Sequence, residues 1–266
     1  MQYISGANGF IGSYLSKKLK LTSIPHEKLS TVKIKPFENF YFLSTYGNLA
    51  DQTETDKIIQ ANLTDLIHIL NEIDFSKGFQ SFVFISTSSV RLKVQTLYSR
   101  TKKAAEQILL ALKEKYHVPI CIIRPTSVFG PHEQPIHLIP TILRSCFKGE
   151  EMNFVKDAVH DYIFVEDVVN GIINLSDNQA GGVYELGTGI PTTNQEVLNL
   201  IEKISGKKAK INVVSSMRSY DTYDWVCTNF RARSFGWLPK YTLEQGLIEV
   251  IEDYKKNPKI YEKKLL

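Results

Sequence analysis

Tyr98 and Lys102 stand four residues apart in the segment YSRTKKAAE, and a helix there places both side chains on one face, one turn apart. A phenol alone, with a pKa of about 10, exchanges protons poorly at neutral pH. An ammonium beside it favours the phenolate and lowers that value, which makes the pair a candidate general acid and base. Thr87 ends the apolar run SFVFIST, and its hydroxyl can hydrogen-bond the same substrate oxygen that the phenol reaches. Taken alone, YxxxK is a common surface pattern. Placed behind a glycine-rich turn and a strand ending in Thr87, it reads as a site.

The glycine-rich turn is SGANGFIG, Ser5 to Gly12, between a strand-like start and an amphipathic helix. Gly6, Gly9 and Gly12 permit a tight turn and let backbone amides approach a pyrophosphate at the helix N-terminus, where the dipole favours anions. With Asn8, Phe10 and Ile11 they are candidate dinucleotide contacts. A ribose-binding acid normally follows about 20 residues on. Between Ser13 and Phe40 the only acids are Glu27 and Glu38, set among His26, Lys28, Lys33 and Lys35. That balance suits a 2′-phosphate and predicts NADP, with Lys33 as a cofactor contact; NAD is the alternative. Leu21 to Asn39 is also too short for a strand, a helix and a strand, which take about 30 residues with their flanks. The adenosine side of the pocket is therefore expected to be abbreviated.

The elements that must position these residues alternate between short apolar runs and longer helical patterns, the signature of a parallel sheet covered by helices. Met1–Ile4, Phe40–Ser44, Ser81–Ser86 and Pro119–Arg124 read as strands. Phe10–Leu21, Asp56–Ile73, Tyr98–Tyr116, Asn194–Ile204 and Leu243–Tyr254 read as helices, and the chain from Gly130 becomes irregular and proline-rich. The expected fold class is α/β, a Rossmann-type doubly wound parallel sheet with a smaller, interleaved C-terminal substrate-binding lobe. The first lobe takes residues 1–128 and about 161–187, the second about 129–160 and 188–266.

Composition excludes several classes. The 266 residues are 43% hydrophobic and 23% charged, too apolar and too balanced in charge for a disordered chain. A net charge of +4 with scattered Lys and Arg disfavours nucleic acid as a partner. Cys121, Cys146 and Cys227 form no CxxC pair, which argues against a disulfide framework or a metal site and fits a reducing cytoplasm. The early strand and glycine turn leave no room for a signal peptide, and no apolar run approaches the ~18 residues of a membrane span. A soluble, cytoplasmic protein is expected, with a solvated basic tail at KKNPKIYEKK.

In order and spacing, SGANGFIG, FVFISTSSV and YSRTKKAAE resemble the extended short-chain dehydrogenase/reductase family, the NAD-dependent epimerases, dehydratases and reductases of nucleotide sugars. IIRPTSVFGP, HDYIFVEDVV, GVYELGTG and FGWLPKYTLEQGL extend the resemblance over nearly the whole chain. It implies a Rossmann lobe for NAD(P) and a second lobe for a nucleotide-diphosphate sugar. It also implies roles: Tyr98 as acid/base, Lys102 as its electrostatic partner and ribose anchor, Thr87 as the completing hydroxyl, and Pro125 beside the cofactor. Ser88, Ser127 and Arg218 fall at substrate-contact positions, Arg218 toward the pyrophosphate. Relatives commonly form homodimers through a helix bundle that includes the Tyr98 helix, and the apolar run Ile108 to Leu112 permits this.

Departures from the family pattern narrow the chemistry. The 4,6-dehydratases carry Asp and Glu directly after the threonine, where this chain has Ser88 and Ser89. The segment PTSVFGPHEQPIHLIPTIL resembles the GDP-fucose synthase group, whose epimerising histidine corresponds to His137, but the partner cysteine is replaced by Ser89. Ketone reduction survives these changes. The reading is an NADP-dependent reductase of a nucleotide-activated 4-keto-(deoxy)sugar. The alternatives are a redox-neutral 4-epimerase with tightly bound NAD, and a non-catalytic NADP-binding regulator suggested by the short Thr87–Tyr98 connection.

Overall fold

A computed structural model describes residues 1–49, 51–215 and 225–262. In chain order the elements begin with β1 (Gln2–Ser5), α1 (Phe10–Lys18), β2 (Thr22–Ile24), β3 (Asn39–Phe42), α2 (Thr55–Ile59), a π-turn (Gln60–Thr64) and α3 (Asp65–Asn71). β4 (Ser81–Ile85), α4 (Leu97–Tyr116), β5 (Ile120–Pro125), β6 (Ser127–Phe129), α5 (Leu138–Lys148), β7 (Glu151–Phe154), β8 (Val159–His160) and β9 (Tyr162–Phe164) follow. The chain continues through α6 (Val165–Asp177), β10 (Gly182–Leu186), β11 (Thr192–Thr193), α7 (Asn194–Ser205), β12 (Lys210–Val213), α8 (Phe230–Arg233) and α9 (Leu243–Lys256).

The first compact unit comprises Met1–Pro125, Val168–Leu186 and Asn229–Leu238. Its six strands pair in parallel in the order β10-β5-β4-β3-β1-β2. The inner strands are largely apolar and buried because helices cover both faces, as in SFVFI of β4, where all five residues are buried. Phe40 stacks on Phe82 at 5.2 Å across β3 and β4, with Leu66, Ile69, Ala105 and Leu109 packed on the same core. A doubly wound sheet ordinarily carries three strands in its first half. Here only β1 and β2 stand there, and the chain returns from β2 to β3 through a 3₁₀ turn (His26–Lys28) instead of a helix. This is the abbreviation that the length of Leu21–Asn39 predicts.

The second unit comprises Thr126–Asp167, Gly187–Thr228 and Pro239–Leu266. Helices α5, α7 and α9 enclose its core of Ile142, Leu143, Val197, Ile201, Leu247 and Val250. Two-stranded pairings β6-β9, β7-β12 and β8-β11 complete it. Gly187 brings the backbone against a buried carboxylate: a Cβ there would lie 2.5 Å from Asp161 Oδ2 and 2.5 Å from Cys227 Sγ. Asp161 is fully buried and accepts from the Thr188 amide at 2.8 Å, the Thr188 hydroxyl at 2.6 Å, the Gly189 amide at 2.9 Å and the Cys227 amide at 3.2 Å.

Three expectations need correction. The region after Gly130 contains α5, which tolerates Pro140 because the first-turn amides of a helix have no acceptor to lose. Asn229–Leu238, expected in the second lobe, belongs to the first unit, where Arg231 donates to the Val183 carbonyl at 2.8 Å and the Trp237 ring closes against Gly171. Residues 126–128 and 161–167 belong to the second, through β6-β9 pairing and the Asp161 contacts. Among the described residues no helix is long and apolar enough to cross a membrane.

Candidate functional site

The sheet ends at which β1, β3 and β4 stop gather the candidate site in the first unit. Gly6 follows β1 with φ +77°, and a Cβ on it would meet the Leu43 carbonyl carbon at 2.8 Å and the Ser44 nitrogen at 2.9 Å. A Cβ on Gly12 would stand 2.0 Å from the Gly6 carbonyl oxygen. The Gly9 amide closes the turn on that same carbonyl at 3.0 Å. Helix α1 then begins at Phe10 with no capping side chain and no acid in its first turn. The amides of Phe10, Ile11 and Gly12 have no intrahelical acceptor, so a cradle that side chains would fill is left to an anion. The residues present thus fit a dinucleotide pyrophosphate, with Asn8 exposed at the rim. Gly12→Ala is expected to force this turn apart, costing dinucleotide affinity at least roughly tenfold and stability about 1–3 kcal/mol. Dinucleotide titration by fluorescence and thermal unfolding check both.

Thr87 caps a 3₁₀ turn (Ser88–Arg91) directly after β4. Its hydroxyl accepts from the Ser89 amide at 3.2 Å and lies 3.0 Å from the Ser89 hydroxyl. Thr96 caps α4 by accepting from the Ser99 amide, which starts the helix one residue before Tyr98. The Tyr98 phenol is hydrogen-bonded by Thr45 and Thr87; burial pushes its pKa up and these two hydroxyls pull it back. Lys102, one turn further, is 1% exposed and donates to the Ile85 carbonyl at 2.9 Å, with its ammonium 4.6 Å from the Phe84 ring centroid. Burial holds its pKa far below the usual lysine range, to about 7, and Glu106 opposes the fall. A buried ammonium one helical turn from a hydrogen-bonded phenol, on the same face of α4, suits proton transfer and favours the phenolate.

Sequence reasoning missed two members of this constellation. Thr45 lies just beyond β3 and donates to Asn62 Oδ1 at 2.8 Å. Asn62 is fully buried on the π-turn, accepts from the Tyr46 amide at 3.3 Å and donates to the Tyr46 carbonyl at 2.7 Å. It thereby fixes the loop that presents Thr45 to Tyr98. The extra residue of a π-turn often marks a functional position. No periodicity in Asp56–Ile73, which reads as one helix, signals it.

Other predicted residues fall elsewhere. Lys33 does not reach the glycine turn: its ammonium pairs with Glu72 at 2.8 Å, and Glu72 caps α3 ahead of β4. Both sit toward the N-terminal ends of the strands, whereas Gly6 follows a C-terminal end. Ser88 is buried, and the half-buried Ser89 is the serine beside Thr87. Pro125 ends β5 in the first unit, in register with Leu186. Ser127 and His137 lie in the second unit. The Ser127 hydroxyl is 3.2 Å from His160 Nδ1, and His137 Nδ1 is 2.9 Å from the buried Glu133 carboxylate. Arg218 lies outside the described residues. Among the described residues no cluster could hold a metal ion.

A low-salt glycan biosynthesis protein of Haloferax volcanii is 27% identical over 161 residues, covering 59% of this chain and 52% of that protein. A trifunctional UDP-glucose 4,6-dehydratase/UDP-4-keto-6-deoxy-D-glucose 3,5-epimerase/UDP-4-keto-L-rhamnose-reductase of Arabidopsis thaliana is 26% identical over 314 residues, covering 96% of this chain and 47% of that one. The chain thus spans about half the length of these curated relatives. Among solved structures, MoeE5 in complex with UDP-glucuronic acid and NAD superposes with a TM-score of 0.82 at 21% identity, covering 96% of this chain and 99% of that chain. A UDP-N-acetylglucosamine 4-epimerase of Methanobrevibacter ruminantium gives 0.85 at 18% identity, covering 96% and 98%. These likenesses establish the Rossmann-type α/β fold. The sequence profile of the NAD dependent epimerase/dehydratase family matches residues 50–187, a span that begins after β3 and holds Thr87, Tyr98 and Lys102. The parallel sheet, the glycine turn and this matched span all say the same thing: the chain belongs to the NAD dependent epimerase/dehydratase family.

Proposed function

We propose that the protein is an NADPH-dependent reductase of a nucleotide-activated 4-keto-deoxy sugar. The observation that carries the reading is the Thr87–Tyr98–Lys102 constellation standing without a carboxylate at Ser88 or Ser89. Elimination of water needs an extra acid and base there; hydride transfer does not. The turn Gly6–Gly12 and the amides of Phe10 and Ile11 would hold the pyrophosphate, and Lys102 would anchor the nicotinamide ribose. When bound, the nicotinamide supplies the hydride. The Thr87 hydroxyl positions the ketone oxygen, and the Tyr98 phenol gives that oxygen its proton as the carbon is reduced. The phenolate left behind is stabilised by the Lys102 ammonium, then reprotonated from solvent. NADPH is favoured over NADH because β2, Thr22-Ser23-Ile24, ends without an acid and runs through Pro25 into a turn where His26 and Lys28 flank the one acid, Glu27. One structure of the same fold, RMD from Pseudomonas aeruginosa, is complexed with NADPH and superposes with a TM-score of 0.82.

The substrate reading draws on relatives that hold or act on UDP- and dTDP-sugars. A redox-neutral 4-epimerase is the second reading, favoured by the several 4-epimerases with NAD among the structural neighbours. Two copies are proposed to pair through α2, α3 and α4, where Ile59, Ile67 and Leu97 are exposed; Ile108, Leu110 and Leu112 instead pack on the core of their own unit. The purified protein tested against nucleotide sugars and their 4-keto derivatives, with NADPH and NADH, decides among these. Consumption of reduced cofactor with a 4-keto sugar, faster with NADPH, is expected. Sugar interconversion with no cofactor consumed would replace the reductase by the epimerase.

A further inference from the structure

We propose that Glu106, locked in place by Arg124, keeps Lys102 in its ammonium form and thereby sets the upper pH limit over which Tyr98 can exchange protons. The proposal rests on the reading of Tyr98 and Lys102 as the proton-transfer pair. Tyr98, Lys102 and Glu106 follow at four-residue spacing on α4, so they form a ladder along one face. Lys102 is 1% exposed and Glu106 is fully buried. Two such groups out of water interact far more strongly than a surface pair. Glu106 is held by Arg124 of β5 through two parallel hydrogen bonds, one of 2.8 Å from Nε to Oε1 and one from Nη2 to Oε2. That grip fixes the carboxylate as a charged group beneath the lysine.

Among the described residues the remaining surroundings of the ammonium offer no substitute. β4 contributes the Ile85 carbonyl and the face of Phe84, β5 contributes Arg124, and β10 contributes Glu185, which acts on Arg124 and pairs with Arg91 at 3.0 Å. Among the described residues Glu106 is thus the one carboxylate that opposes the burial cost of Lys102 directly. Replacing it by glutamine removes that attraction and strands the Arg124 guanidinium, a second positive charge, in the same place. Both changes disfavour the ammonium. Glu106 touches no reacting atom in this account; it is a positioning and charge-holding residue.

The test is a pH titration of the Lys102 side chain by ¹³Cε NMR in the protein without cofactor or substrate, the resonance being assigned by its loss in Lys102→Met. Wild type is expected to titrate at about 7. Glu106→Gln is expected to titrate at lower pH, leaving roughly tenfold less ammonium at pH 8, and Glu106→Asp, which keeps the charge, returns toward wild type. In turnover assays the alkaline limb of the pH–rate profile moves down in parallel. If Glu106→Gln does not fold by circular dichroism, Glu106→Gln/Arg124→Met, which strands no charge, carries the test and is also expected to titrate below wild type. An unmoved Lys102 titration, or a moved titration with an unmoved alkaline limb, overturns the proposal. Absence of turnover in wild type would instead refute the proposed function, because the NMR titration reads the Lys102–Glu106 link by itself.

Discussion

Tyr98→Phe is expected to lower kcat by roughly 10²–10⁴-fold, the usual contribution of a positioned proton donor. This corresponds to about 3–5 kcal/mol of lost transition-state stabilisation. One oxygen is deleted and the ring that packs at the head of α4 remains. The two hydroxyls that bonded the phenol keep other partners, Thr45 on Asn62 and Thr87 on Ser89. The folded state should therefore lose no more than about 1 kcal/mol, and affinity for the dinucleotide should change little. Steady-state kinetics beside a thermal melt separates these outcomes. A large kcat loss with an unchanged melt places the phenol in the chemical step, whereas a parallel collapse of the melt would make it a structural residue.

The largest expected effect on stability lies in the other unit. Asp161→Ala should destabilise the protein by roughly 3–5 kcal/mol, because it removes a buried carboxylate and leaves three amides and a hydroxyl without their acceptor. Natural domains hold only about 5–15 kcal/mol in total. The turn at Gly187–Gly189 and the backbone at Cys227 meet on this one side chain, so their mutual position goes with it. Asp161→Asn retains one acceptor but turns an amide N–H toward a donor, and should fall between alanine and wild type. Urea unfolding followed by tryptophan fluorescence gives the order directly. Equal midpoints for all three proteins would show that Asp161 is dispensable to the unit.

The parts of the site that were legible in the sequence are those fixed by local sterics or by helical periodicity. The glycines of Ser5–Gly12 are dictated by a backbone approach that no side chain could share, and Tyr98 and Lys102 share a face because a helix of 3.6 residues per turn puts them there. Strands β3, β4 and β5 announce themselves as apolar runs because both of their faces are covered. What sequence spacing does not encode is which end of a parallel sheet a connecting residue reaches. Lys33 follows the glycine turn at a plausible distance, yet it precedes β3 and so lands at the opposite edge, on Glu72. Thr45 and Asn62 were illegible for a related reason. They come together through a loop and a π-turn, and only tertiary packing makes a polar residue in the middle of an apolar helix pattern useful. β2 and α8 are three and four residues long, too short to show any period, and with α8 the return of Asn229–Leu238 to the first unit was hidden.

The proposed reaction is reduction at a sugar ketone, with Tyr98 supplying the proton. It is tested most directly by incubating the protein with a nucleotide-activated 4-keto-6-deoxyhexose and NADPH deuterated at nicotinamide C4, in parallel 4R and 4S preparations, and examining the sugar by NMR and mass spectrometry. The account predicts one deuterium at C4 of the sugar from one of the two preparations, one equivalent of NADPH consumed per sugar reduced, and near-complete loss of this transfer in Tyr98→Phe. Sugar that is interconverted without deuterium and without NADPH consumed, or transfer undiminished in Tyr98→Phe, would contradict it.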